Sequence, residues 1–179
     1  ADREADDVYY RLDIATSILV YHRALLLKGN GGGMSPVTGL KNSEEYVRLF
    51  TEALNGFTRA LAVAENRADF SLQAILLMNR AACLRQLGEQ AEAYEALSIG
   101  RSVAEEYHLW RIQVRIYCAL AEFLMEQGQE LEGEDYAALV QDLCARAGTL
   151  VETVPEAFET MGGLVHNIYE TRAILFARS

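Results

Sequence analysis

Proline and long apolar runs are both scarce in this chain. Its two prolines, Pro36 and Pro155, each fall in or beside a stretch that interrupts helical periodicity. The longest apolar runs, such as Ala74 to Met78, are far too short to cross a bilayer. β-branched alternation of the kind that marks a half-buried strand is absent. These absences argue against a membrane-spanning chain and against a sheet.

Cysteine and positive charge are also in short supply. The three cysteines, Cys83, Cys118 and Cys144, form no C-x-x-C pair, and three is an odd number for a disulfide framework. We interpret them as small buried thiols in a reducing cytosol. The chain has 16 basic and 26 acidic residues, which gives a formal charge of −10. Because an acidic chain repels phosphates, we expect no direct contact with nucleic acid and none with a membrane.

The motifs that carry catalysis, metal binding or phosphate binding are missing as well. The glycine-rich segment near 29–42 has neither the preceding strand nor the G-x-x-x-x-G-K-[ST] spacing of a phosphate loop. The three histidines have no second ligand at zinc spacing, and no nucleophile motif occurs. Adjacent carboxylates are better explained as helix starts or solvated faces than as general acids. We therefore predict a protein that is not an enzyme and has no cofactor and no metal.

Apolar residues at spacings of three and four are present almost throughout, which is typical of an all-α protein. The first predicted helix spans 8–28 and carries a broad apolar stripe, formed by Leu12, Ala15, Ile18, Leu19, His22, Leu25 and Leu26. A loop to about Asn42 and a second helix from about Ser43 to Asn66 follow. The remaining helices are predicted at 69–88, 91–106, 110–128 and 133–147, with a break at 148–155 and a last helix that starts near Pro155, or after Gly162-Gly163, and reaches the chain end. The short turns at 88–90 and 128–132 favour antiparallel helical hairpins.

The sequence also repeats itself with a period of 40 residues. This shift places Ala53 on Ala93, Val63-Ala64-Glu65 on Val103-Ala104-Glu105, Gln73 on Gln113, Ala81 on Ala121, Leu84 on Leu124 and Gly88 on Gly128. A fixed period of this size is typical of a solenoid, in which one helical hairpin is copied and stacked.

The residues of this period resemble the tetratricopeptide repeat, strongly over 53–128 and weakly elsewhere. The first helix of one copy contains Leu77-x-x-Arg80-Ala81-x-x-Leu84, and Gly88 follows at the turn. Its second helix contains Ala93-x-x-x-Leu97-x-x-Gly100, and the next copy begins with Tyr117-x-x-Leu120-Ala121-x-x-Leu124. The period exceeds the about 34 residues usual in the family, and the family's proline after the second helix is absent. Longer repeats of this kind resemble the arrays of bacterial regulators.

The resemblance implies a right-handed α-solenoid of antiparallel helix hairpins with about seven helices. We expect one repeat domain over 1–179, with a degenerate first hairpin at 8–66 and central hairpins at 69–106 and 110–147. The segment 155–179 would start a further repeat, and the chain would be a fragment of a longer protein. Its final apolar helix would then leave a face uncovered.

In that family partners dock on the concave surface formed by the first helix of each hairpin. The ten corresponding residues here are Ile75, Met78, Ala82, Arg85, Gln86, Arg115, Cys118, Glu122, Met125 and Glu126. The resemblance therefore implies a cytoplasmic protein- or peptide-binding scaffold, as the sensory or interaction module of a bacterial signalling or transcriptional regulator. Two alternatives stay open: self-association, as a possible homodimer, through a terminal face with Ile168, Ile174, Leu175 and Phe176, or a small-ligand sensor.

Three arginines recur directly before a small alanine of a predicted first helix: Arg23, Arg80 and Arg172. One interpretation is structural, with the stem packed and the guanidinium paired to a carboxylate on a neighbouring helix. The other is functional, with the arginine near the groove meeting an acidic ligand.

Overall fold

The computed structural model describes residues 2–30, 36–127 and 136–157, and all regular structure in these ranges is helical. The six α-helices are α1 (Asp2–Asn30), α2 (Pro36–Asn66), α3 (Phe70–Leu87), α4 (Gln90–Glu106), α5 (Trp110–Gln127) and α6 (Tyr136–Thr153). A short 3₁₀ turn follows at Pro155–Ala157. The predicted all-α class is confirmed.

Helix α3 begins and ends where its sequence predicts. The carboxylate of Asp69 accepts a hydrogen bond from the backbone N–H of Leu72 at 3.0 Å, which caps the helix start. At the other end Gly88 takes a left-handed conformation with φ of 86°, and its N–H donates to the carbonyls of Arg85 and Leu84. Helices α4 and α5 also lie within one residue of their predicted bounds.

Three predicted boundaries are wrong. Helix α1 begins at Asp2 rather than at Val8. Helix α2 begins at Pro36 rather than near Ser43, because proline at a first helical position loses no hydrogen bond. Helix α6 continues through Gly148 to Thr153, where a break was predicted. Gly148 is buried, and glycine costs a helix only about 1 kcal/mol, so packing of Val140, Leu143 and Ala147 outweighs its propensity. Of the predicted last helix, residues 158–179 lie outside the described ranges.

Two compact units make up the chain, Ala1–Ala96 and Leu97–Ser179, and the division falls inside α4. In the first unit α1 packs on α2, and α2 packs on α3. In the second unit α5 packs on α6. Helix α5 is rich in large buried residues, including Ile116, Tyr117 and Phe123.

The contacts between α1 and α2 run in opposite directions along the two helices. As numbering rises on α1 it falls on α2, in the pairs Asp13 with Arg59, Ser17 with Gly56, Tyr21 with Phe50 and Arg23 with Glu45. The two helices approach closely at Gly56, where a Cβ atom would lie 3.1 Å from the Cβ of Ser17 and would collide with its hydroxyl. Absence of a side chain at Gly56 therefore sets the spacing of these two helices.

Candidate functional site

One tight turn joins α2 to α3. Its backbone N–H groups at Arg67, Ala68 and Asp69 donate to the carbonyls of Val63, Glu65 and Ala64 at 3.1, 3.1 and 3.0 Å. Ala68 has a positive φ of 52°. The side chain of Gln73 reaches back and donates from Nε2 to the carbonyl of Ala64 at 3.2 Å. This amide ties the first turn of α3 to the last turn of α2.

The turn from α4 to α5 has the same geometry, displaced by 40 residues. The N–H groups of Tyr107, His108 and Leu109 donate to the carbonyls of Val103, Glu105 and Ala104 at 3.1, 3.3 and 2.9 Å. His108 has a φ of 53°, and Nε2 of Gln113 donates to the carbonyl of Ala104 at 2.6 Å. Every one of these residues is 40 positions after its counterpart, so this part of the sequence period corresponds to one local structure.

Because α3 and α5 leave equivalent turns, residues 40 apart occupy equivalent positions on the two helices. The ten predicted groove residues form five such pairs: Ile75 with Arg115, Met78 with Cys118, Ala82 with Glu122, Arg85 with Met125, and Gln86 with Glu126. Within each helix the spacings are three, four, three and one residues, so each set lies along one face. Each face belongs to its own unit.

None of the ten residues is fully buried. On α3 all five are half-buried, and on α5 Arg115, Glu122 and Glu126 are exposed while Cys118 and Met125 are half-buried. Both faces thus combine accessible apolar side chains with charged ones. This composition suits side-chain docking, since methionine adapts to irregular surfaces.

Cys118 is the one group in this set with a reactive side chain. Burial first, and then the neighbouring Cys144 and Glu122, raise the pKa of its thiol to about 12. A thiol protonated at neutral pH is a weak nucleophile, so Cys118 contributes an apolar contact. Cys83 and Cys144 are buried, as predicted, whereas Cys118 is only half-buried.

A polar cluster inside the second unit was not predicted. The hydroxyl of Tyr117 on α5 donates to Oε1 of Glu105 on α4 at 2.8 Å, and Nε of Arg101 donates to the same oxygen at 2.9 Å. Burial, and then the hydrogen bond to Glu105, raises the pKa of Tyr117 to about 12. The first unit has Leu77 where the second has Tyr117. The cluster links α5 to α4 through hydrogen bonds. We assign it a structural role because the phenol of Tyr117 is buried and stays protonated at neutral pH.

Sequence patterns also missed a cleft of about 620 Å³ between α1 and α2. Its lining includes Tyr10, Leu12, Asp13 and Thr16 from α1, Arg59 and Val63 from α2, and Arg67 from the turn that follows α2. Arg59 donates to both carboxylate oxygens of Asp13, at 3.2 and 2.9 Å. The guanidinium of Arg67 lies 5.1 Å from the ring centroid of Tyr10. The four-residue spacing of Arg59, Val63 and Arg67 in the sequence was the available signal.

The recurrent arginines have different surroundings. Arg23 donates to Glu45 of α2 at 3.0 Å, which is the structural role, although this pair is largely exposed and contributes at most about 1 kcal/mol. Arg80 is half-buried, and Arg172 lies outside the described residues. The terminal residues Ile168, Ile174, Leu175 and Phe176, predicted for self-association, lie outside them too.

Comparison with known proteins gave no match: no family model, curated protein or solved structure is similar enough to this chain to be reported. Within the described ranges, His, Cys, Asp and Glu side chains do not gather in groups of three that could hold a metal ion. None of the helices in that same part of the chain is both long enough and apolar enough to cross a bilayer.

Proposed function

We propose that this chain is a tetratricopeptide-like α-solenoid that binds a protein segment or peptide by side-chain docking, without chemistry. In this proposal it is the sensory or interaction module of a bacterial signalling or transcriptional regulator and acts in the cytoplasm. The proposed docking positions are the ten paired residues, five on one face of α3 in the first unit and five on one face of α5 in the second.

The observation that carries the proposal is the recurrence of one interhelix turn, hydrogen bond for hydrogen bond, 40 residues apart. Repeated turns of equal geometry are what a stacked array of hairpins requires. The opposed numbering of the α1 and α2 contacts supports the antiparallel hairpin that such an array contains. The right-handed stacking of hairpins is part of this proposal.

The composition of the two faces indicates the kind of ligand. Met78 and Ile75 offer apolar contacts beside Arg85 on α3, whereas Arg115, Glu122 and Glu126 make the α5 face mixed in charge. A segment that fits would carry aliphatic or aromatic anchors and charges of both signs. Such segments dock as a helix or an extended peptide, with a few anchors supplying most of the affinity.

A random dodecapeptide library displayed on phage and selected against the chain tests the proposal. The groove variant R115A/E122A removes one exposed cation and one exposed anion from α5. Its matched control, R48A/E52A, removes the same charges from an exposed pair on α2 with atoms 3.7 Å apart. We expect selected peptides to lose about tenfold or more in affinity for the groove variant and to bind the control unchanged. Equal binding to both variants, or selection of no peptide, contradicts the proposal.

The α1–α2 cleft supports a second candidate, the small-ligand sensor. Its volume of about 620 Å³ lies within the range of small-molecule sites. A metabolite that binds there must raise the melting temperature of the chain, and V63W must abolish the rise because the indole fills the cleft. Stabilisation that survives V63W would place the ligand elsewhere.

A further inference from the structure

Two cavities in the first unit share one pair of side chains. The cleft of about 620 Å³ between α1 and α2 and a smaller cavity of about 340 Å³ are both lined by Tyr10 and Arg67. The guanidinium of Arg67 lies 5.1 Å from the ring centroid of Tyr10, which is a cation–π distance. The rest of the smaller cavity is lined by Arg11, Ile14, Asp69 and Leu72. A molecule in either cavity therefore contacts the Tyr10–Arg67 pair.

The cleft lies beside the contact that brings α1 and α2 together at Ser17 and Gly56. Its apolar lining comprises Leu12, Ala60 and Val63. Leu12 is 60% exposed, so packing within the described part of the first unit leaves most of this side chain accessible to a ligand. A slot between two helices with apolar walls suits a flat ring.

The charged side chains at the two cavities have an excess of positive charge, although the whole chain has a formal charge of −10. Three arginines and two aspartates line the cavities: Arg11, Arg59, Arg67, Asp13 and Asp69. Both aspartates already accept hydrogen bonds from the protein. Asp13 accepts them from Arg59, and Asp69 accepts one from a backbone N–H of α3. One positive charge remains in excess, and a ligand with one negative charge neutralises it.

Arg59 has hydrogen-bonding capacity left for such a ligand. Asp13 accepts from Nε and Nη2 of Arg59 at 3.2 and 2.9 Å, so this pair uses two of the five N–H groups of the guanidinium. The other three include both N–H groups of Nη1, and the side chain is 64% exposed. These groups can donate charge-assisted hydrogen bonds to a carboxylate or a sulfonate. Because Asp13 holds the guanidinium in place, binding costs little side-chain entropy.

We propose that the α1–α2 cleft binds a small aromatic molecule with one negative charge, of the class of aromatic carboxylates and sulfonates. Its anionic group accepts hydrogen bonds from Nη1 of Arg59. Its ring lies between Leu12 and Val63 and contacts the Tyr10–Arg67 pair. This inference rests on the second candidate function, the small-ligand sensor, and names the class of its ligand. It uses none of the ten docking positions on α3 and α5.

Two dyes with one ring system test the class of ligand. Anilinonaphthalene sulfonate is an aromatic monoanion whose fluorescence rises in apolar surroundings, and phenylnaphthylamine is the same molecule without the sulfonate. We expect fluorescence titration of the 179-residue chain to show one site per chain for the anionic dye. V63W must abolish the binding of both dyes, because the indole fills the cleft.

Substitution of charged residues tests the anchor. R59Q should weaken binding of the anionic dye by about tenfold and change that of the neutral dye by less than about twofold. Its matched control is R48Q, the same change at an exposed arginine of α2, and it must leave both affinities unchanged. If circular dichroism shows that R59Q does not fold, R67Q takes its place, since it leaves the pair of Arg59 and Asp13 intact.

Removal of the competing carboxylate should have the opposite effect. D13N should strengthen binding of the anionic dye by about threefold or more, because all five N–H groups of Arg59 become available to the ligand. E52Q changes the charge of the chain by the same amount at an exposed position of α2 and should have no effect.

The outcomes separate the ligand class from the sensor function. Equal weakening of the anionic dye by R59Q and R48Q, or equal weakening of both dyes by R59Q, overturns the anion site. If V63W blocks the neutral dye but R59Q leaves the anionic dye unaffected, the ligand class is wrong and the cleft remains a sensor site. If V63W blocks neither dye, the sensor function fails together with the inference.

Discussion

The turns at 64–73 and 104–113 share a backbone geometry and a returning glutamine amide but differ in the other side chains that stabilise them. In the first, Asp69 caps α3 with its carboxylate. The side chain of Gln73 is half-buried there, and its amide nitrogen lies 3.2 Å from the carbonyl oxygen of Ala64. In the second, Leu109 occupies the capping position, and its side chain has no oxygen that could accept a hydrogen bond. Gln113 is only 4% exposed, and its amide nitrogen lies 2.6 Å from the carbonyl oxygen of Ala104. His108 stacks on Trp110 there, with ring centroids 5.1 Å apart. One backbone geometry is thus maintained by a cap in one unit and by burial in the other.

Of all the changes considered, removal of the glutamine amide should give the largest difference in stability between the two turns. Gln113→Leu loses a short, buried hydrogen bond and should lower the free energy of unfolding by about 1–3 kcal/mol. Gln73→Leu loses a longer, half-exposed one and should cost at most about 1 kcal/mol. Urea denaturation of both variants measures the difference. If the two losses are equal, burial does not distinguish the turns.

The polar cluster of the second unit gives a pH-dependent contrast. Tyr117→Phe removes the hydrogen bond to Glu105 and should cost about 1 kcal/mol near neutral pH. Because folding raises the pKa of Tyr117 from 10.0 to about 12, its contribution is complete below pH 10 and is lost as pH rises towards 12. The difference in unfolding free energy between wild type and Tyr117→Phe should therefore shrink over that interval. A difference that stays constant from pH 9 to 12 would contradict the role of this phenol.

The cap of α3 should matter in the first turn alone. Asp69→Ala removes the acceptor for the Leu72 N–H and should cost about 1 kcal/mol. Asp69→Asn keeps an oxygen in place and should cost much less. Leu109→Ala in the other turn removes no cap, so its effect should come from lost packing only. Thermal unfolding of the three variants checks this, and a loss in Asp69→Asn as large as in Asp69→Ala would rule out capping.

The smallest effect is expected at the two left-handed residues. Ala68→Gly relieves a positive φ that alanine disfavours, at the cost of a more flexible unfolded chain, and should stabilise by about 0.5 kcal/mol. His108→Gly relieves the same strain but loses the stacking on Trp110, so it should stabilise the protein less than Ala68→Gly does. Calorimetry of both variants gives the order, and the reverse order would show that stacking contributes nothing.

Local chemistry made part of this fold predictable. The start of α3 at Asp69 and its end at Gly88 follow from neighbouring residues, and the structure has both as predicted. The 40-residue period corresponds to two equivalent turns, whereas the stacked solenoid that it predicts stays a prediction. The passage of α6 through Gly148 was missed because packing overrides the propensity of a single residue. The start of α2 at Pro36 was missed because proline costs no hydrogen bond at a first helical position.

Pairings between distant residues were beyond the sequence patterns. Tyr117 and Glu105 are 12 positions apart on different helices, and nothing in their spacing identifies the hydrogen bond. The apolar stripe of α1 was recognised, but periodicity cannot tell which neighbour a stripe meets. Of its leucines, Leu12, Leu19 and Leu26 are exposed, whereas Leu25 packs on the core. The ten docking positions stay a prediction, carried by the resemblance and by the equivalence of the two turns.

Gly56 and Gly88 are constrained for opposite reasons, and this predicts opposite tolerance to replacement. At Gly88 a Cβ atom would meet nothing within 4 Å, so the limit is the handedness of the backbone. Asparagine, which accepts a left-handed conformation, should therefore be tolerated there. At Gly56 the backbone is an ordinary helix and the limit is space, so no larger residue fits unless Ser17 also shrinks. Across variants of this protein, position 88 should vary alone, whereas position 56 should change only together with position 17.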